Sequence, residues 1–88
     1  MQSEVVFINK TRRLLSNNIT YWRLERNWSQ EEFTFKLKSS TQYVSDMERG
    51  KRNISTDFVD SIANTLMIEP HELFIERPII KNRRVDLK

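Results

Sequence analysis

The side chains able to do chemistry in this chain are amides, hydroxyls and cations gathered in one short stretch. Thr41, Gln42, Tyr43, Ser45 and Asp46 stand close together, and Arg49, Lys51, Arg52 and Asn53 follow directly. A glutamine can offer a donor and an acceptor together to an adenine edge, and a hydroxyl can do either. Guanidinium and ammonium groups bind phosphate. Covalent chemistry lacks its usual parts: the 88 residues include no Cys, one His and one Gly. That leaves no thiolate, no His pair, no zinc ligand set and no Gly-rich phosphate cradle. His71, beside acidic residues, reads as a surface side chain. No metal or cofactor is expected, and binding rather than catalysis is.

The charge is segregated. The formal net charge is +3, yet residues 1–28 carry +3, residues 29–76 carry −4 and residues 77–88 carry +4. A solvated surface with a basic tail explains this blandly, and contact with a polyanion explains it more sharply. Composition alone leaves both open. With 38% hydrophobic and 31% charged residues, the chain is globular, and its length suits one domain. The expected organisation is an extension over 1–12, a core over 13–76 and a basic tail over 77–88. The longest apolar runs, at 5–8 and 66–68, fall far short of the ~20 residues of a spanning helix. Glu4 before the first run also disfavours a secretory signal, so a cytoplasmic protein without membrane contact is expected.

Short helices must position these groups. Leu15, Ile19, Trp22 and Arg26 recur at helical spacing over 13–26, and Asn27 suits a left-handed stop. Ser29-Gln30-Glu31-Glu32 is a capping box, after which Phe33 and Leu37 share a face. Ser39-Ser40 breaks that helix and caps a third over about 41–49, which buries Val44 and Met47 and stops at Gly50. Ser55 caps a fourth helix with a stripe of Phe58, Val59, Ile62, Ala63 and Leu66. Pro70 opens a fifth, and Pro78 ends it. Residues 1–10 fit either a helix extension or a strand. Trp22, Trp28, Phe33, Phe58 and Phe74 are expected in the core. The fold class is all-α, with five helices and a helix-turn-helix at about 29–49.

With Val44 and Met47 inward, Gln42 and Arg49 point away from the core. Ser45 and Asp46 lie about 130° from its centre, and Thr41 and Tyr43 flank the edges. Asp46 repels phosphate, so it either accepts from a cytosine amine or orients a neighbour. Gln30, at the start of helix two, stands where free N–H groups favour a phosphate.

Taken in order, SQEE at 29–32, Val44-Ser45, Glu48-Arg49-Gly50-Lys51, Ile62-Ala63 and EPHELF at 69–74 resemble the phage-repressor (Cro/C1, xenobiotic-response-element) family. The resemblance covers about residues 15–76. Within it, Tyr43-Val44-Ser45 and Glu48 to Asn53 look most like short stand-alone regulators, among them restriction–modification controller proteins. It implies a compact lambda-repressor-like domain that binds double-stranded DNA and regulates transcription as a homodimer on a palindromic operator. Thr41, Gln42, Tyr43, Ser45 and Asp46 would read bases, and Gln30, Arg49, Lys51, Arg52 and Asn53 would hold phosphates. It also implies a buried ion pair between Arg23 and Glu48. Ile68, Leu73, Ile75, Ile79 and Ile80 are the dimer-interface candidates, although Ile68 and Leu73 could equally finish the monomer core. Lys38 stands where the family favours Gly, Thr34 where it favours Ala and Ile54 where Pro is common, and Glu69 is a poor cap. A second reading is an antitoxin-like module that holds a protein partner with the same fold. Contact with RNA polymerase or a toxin is left open, as is the choice between activator and repressor.

Overall fold

The computed structural model describes residues 2–80, with side chains from residue 10 onward. Four α-helices, α1 (Gln2–Glu25), α2 (Gln30–Leu37), α3 (Thr41–Glu48) and α4 (Thr56–Leu66), precede a 3-10 turn at Pro70–Phe74. The ambiguous start is a helix extension. No Gly or Pro interrupts residues 2–25, and no strand among the described residues offers a pairing edge.

Hydroxyl caps start three of the helices. Ser29 Oγ accepts from the Glu32 N–H while Glu32 reaches back to the Ser29 N–H, both at 3.0 Å, which completes the capping box. Ser40 and Ser55 accept from the N–H groups of Tyr43 and Phe58, each at 3.1 Å. Each α-helix ends the same way, with a left-handed residue: Asn27, Lys38, Gly50 and Met67, at φ between 58° and 76°. The following N–H in each case bonds back five positions, as Ser39 does to Thr34 and Lys51 to Asp46. Only one of the four is glycine. At Gly50 a methyl would meet Ser16 Oγ at an ordinary 3.5 Å, so the backbone angle, and not crowding, favours glycine there.

The fifth helix is shorter than its apolar spacing suggests. Glu69 supplies no side-chain cap, the Glu72 N–H closes a single turn on the Glu69 carbonyl at 2.9 Å, and Ile75 is already extended. Phe74, expected in the core, is therefore 44% exposed. The core joins Leu15 and Ile19 of α1, Phe33 and Leu37 of α2, Val44 and Met47 of α3, the α4 stripe from Val59 to Leu66, and Leu73. Trp22, Trp28 and Phe58 pack against its margin. Such burial is what holds α2 and α3, which at eight residues each are too short to persist alone. No helix among the described residues is long and apolar enough to cross a membrane.

After the 3-10 turn the chain runs extended along α1 and is gripped by two adjacent asparagines. Asn18 Nδ2 donates to the Ile75 carbonyl at 2.8 Å, and its Oδ1 accepts from Arg77 Nε at 2.7 Å. Asn17 Nδ2 donates to the Pro78 carbonyl at 3.1 Å while its Oδ1 accepts from the Ile80 N–H at 2.8 Å. Arg77 lies over the Tyr21 ring at 4.1 Å.

Candidate nucleic-acid interface

Burial of Val44 and Met47 fixes which side of α3 faces outward. Thr41 and Gln42 are exposed at its start, and Tyr43, Ser45 and Asp46 are half-buried behind them. Gln42 Nε2 donates to Asp46 Oδ1 at 3.0 Å, one helical turn on. Of the two readings of Asp46, this contact matches the one in which it orients a neighbour. The other Gln42 N–H and its Oε1 have no partner among the described residues. Asp46 also faces Arg52 at 3.7 Å. The Arg52 guanidinium sits 4.6 Å from the Tyr43 ring centroid, and Tyr43 meets Phe58 edge-on at 5.6 Å. The outer face of α3 is thus braced from Gln42 to α4. Arg49, Lys51 and Asn53, by contrast, are exposed and have no side-chain hydrogen bond or ion pair among the described residues.

Beneath this face lies a buried charged pair. Arg23 Nε and Nη2 donate to the two carboxylate oxygens of Glu48 at 2.7 and 3.0 Å, with side-chain exposures of 0% and 3%. Arg23 Nη1 donates to the Trp28 carbonyl at 2.8 Å. This fork joins α1, α3 and the loop before α2. Gln30 was expected to meet phosphate, yet its Nε2 donates to Glu48 Oε1 at 3.0 Å, so its side chain braces the ion pair. The start of α2, with its free N–H groups, remains in place beside it. Lys38 takes the left-handed geometry despite not being Gly, so the turn into α3 keeps three residues. Thr34, in the place of the usual Ala, is buried with its Oγ1 unpartnered.

The five interface candidates differ in exposure. Leu73 is fully buried and belongs to the monomer core, so it offers no surface to a partner. Ile68 packs partly against that core. Ile75 and Ile79 are exposed, and Ile79 and Ile80 line a cavity beside α1 and the end of α3. The exposed Phe74 and Met67 were not among the candidates. The tail's Arg83, Arg84 and Lys88 lie outside the described residues.

A helix-turn-helix family model matches residues 19–73, which includes α2, α3 and the turn between them. The chain belongs to the helix-turn-helix family. It is 36% identical to the control protein C.BamHI of Bacillus amyloliquefaciens over 66 residues, covering 74% of this chain and 82% of that protein. Among solved structures, the restriction–modification controller protein C.AhdI of Aeromonas hydrophila superposes with a TM-score of 0.68 at 33% identity, covering 72% of this chain and 96% of that one. A hypothetical transcription factor from Neisseria gives a TM-score of 0.72 at 27% identity, covering 89% and 85%. These helix-turn-helix relatives support DNA-binding transcription regulation as the function class.

Proposed function

We propose that this chain is a sequence-specific regulator of transcription that binds a palindromic operator in double-stranded DNA as a homodimer. Helix α3 enters the major groove. The observation that carries this reading is the exposed Gln42, held by Asp46 with half of its amide still unused, on a helix followed by the unpaired cations Arg49 and Lys51. Thr41, Gln42, Tyr43, Ser45 and Asp46 form the reading face, with Asp46 acting through Gln42. Arg49, Lys51, Arg52, Asn53 and the start of α2 at Gln30 hold the phosphate strand.

A module with so few reading groups gains affinity by pairing, and two copies on one face of the duplex span half-sites about 34 Å apart. Ile68 and Ile75, with the neighbouring Phe74, are the pairing surface proposed here. The similarity to C.BamHI and C.AhdI favours a controller of the restriction–modification type, and a cytoplasmic setting is part of this proposal.

Selection of bound duplexes from a random DNA library tests this. A recovered palindrome supports specificity and two-fold symmetry together. Against that operator, Gln42→Ala relaxes preference at one base position, whereas Lys51→Ala weakens every sequence alike and reduces the salt slope by about 0.9. Equal losses on all sequences for both variants would remove α3 as the reader.

A further inference from the structure

Five of the eleven cations with described side chains have partners. Arg23 is paired with Glu48, Arg26 donates to the Leu66 carbonyl, Lys36 covers Trp28, Arg52 covers Tyr43 and Arg77 covers Tyr21. Arg13 and Arg49 have none among the described residues. They nevertheless lie together, 36 positions apart in sequence, on the lining of one cavity of about 400 Å³. Its polar wall is the α1 row Ser16, Asn17 and Thr20, and its apolar wall is the asparagine-held segment ending in Ile79 and Ile80. Gly50 forms the bottom corner, where α1 passes within contact distance of the turn after α3. Glu48 also lines the cavity, but both its oxygens are engaged by Arg23 and one also by Gln30. Its negative charge is countered before any ligand arrives.

We infer that this notch is a binding site for a backbone phosphate of DNA, held by Arg13 and Arg49. The two unpaired guanidinium groups supply the donors, since Ser16 Oγ already donates to the Arg13 carbonyl and Asn17 Nδ2 to those of Arg77 and Pro78, and planar guanidinium suits phosphate oxygens in a forked geometry. The notch opens beside the end of α3, next to the loop that carries Lys51 and Arg52. Helix α1 therefore adds to the phosphate footprint, through a side chain outside the stretch matched by the family model, which begins at residue 19. The inference rests on the DNA-binding reading above. The asparagine grip serves it by keeping the Ile79–Ile80 wall in place.

The same chemistry could be met by a free phosphate group, so the test has two arms. In the first, the full chain is titrated onto a 30-base-pair duplex of mixed sequence at several salt concentrations. Arg13→Gln is expected to reduce the slope of log K against log salt by about 0.9 per site, the signature of one lost phosphate contact. Lys51→Gln serves as the reference variant. An unchanged slope in Arg13→Gln beside a reduced slope in Lys51→Gln overturns the notch and leaves the DNA-binding reading standing. No duplex binding by the unmodified chain overturns both. In the second arm, inorganic phosphate and adenosine monophosphate are titrated while the amide resonances of Ser16 and Gly50 are followed. Saturable shifts at micromolar concentration, lost in Arg13→Gln while the duplex salt slope is unchanged, would make the notch a small-anion site and overturn the assignment to DNA. Matching thermal melts of the variant and the parent exclude unfolding as the cause, since Arg13 is exposed.

Discussion

Replacing Glu48 with Gln keeps the volume of the side chain but strands a guanidinium that is completely shielded from solvent. Arg23 would retain its bond to the Trp28 carbonyl and one bond to the new amide oxygen, and lose the opposing charge. Breaking such a pair by removing one partner costs about 3–5 kcal/mol, because an uncompensated charge stays buried. An 88-residue domain has roughly 4–13 kcal/mol of stability in total, so the loss takes a large share of it. Urea unfolding followed by circular dichroism reads this directly. With a slope near ~1.5 kcal/mol per molar, a loss of ~3 kcal/mol moves the midpoint down by about 2 M. The double variant Arg23→Met, Glu48→Leu replaces both partners with apolar groups and is expected to lie within about 1 kcal/mol of the parent, or above it. A loss below about 1 kcal/mol in Glu48→Gln would refute the reasoning. So would a double variant as unstable as the sum of its single changes.

Three further outcomes follow from local features. Thr34→Ala removes a buried hydroxyl without a partner and is expected to stabilise by about 1 kcal/mol, raising Tm by about 4–8 °C, with Thr34→Val as the control for volume. Lys38→Gly relieves the left-handed strain of a side-chain-bearing residue, about 1–2 kcal/mol, against about 0.5–1 kcal/mol for the greater freedom of glycine when unfolded. A net gain of about 0.5–1 kcal/mol in chemical denaturation is expected. Asp46→Ala frees Gln42 and removes a negative charge from the reading face. In competition binding, affinity for mixed-sequence duplex should rise while the preference for the selected operator falls several-fold, about 1 kcal/mol.

What was legible in the sequence had local causes. Ser29, Ser40 and Ser55 announce helix starts because each hydroxyl caps an N–H only three residues on. Asn27 and Gly50 announce stops because their types tolerate positive φ. Lys38 and Met67 make the same stop without that tolerance, since the buried Leu37 and Leu66 before them and the packing that follows dictate the path. Phe74 was misread because apolar spacing suggested a longer helix than an uncapped start at Glu69 supports. The polar face of α3 could be placed from Val44 and Met47 alone. The Gln30 contact with Glu48 could not, because it depends on how two helices meet. Asn17 and Asn18 gave no signal, because their partners lie 57 to 63 positions away. Two adjacent asparagines within a helix, both buried, are the clue in retrospect.

Those asparagines hold mostly main-chain atoms: the carbonyls of Ile75 and Pro78 and the N–H of Ile80. The route of the final described segment is therefore encoded in α1 and largely indifferent to which side chains travel along it. Mutational drift can rewrite residues 78–80 without rerouting them, whereas a change at Asn17 reroutes whatever they have become. The segment is thus a place where diverging copies of this regulator can acquire different surfaces at little risk to the fold.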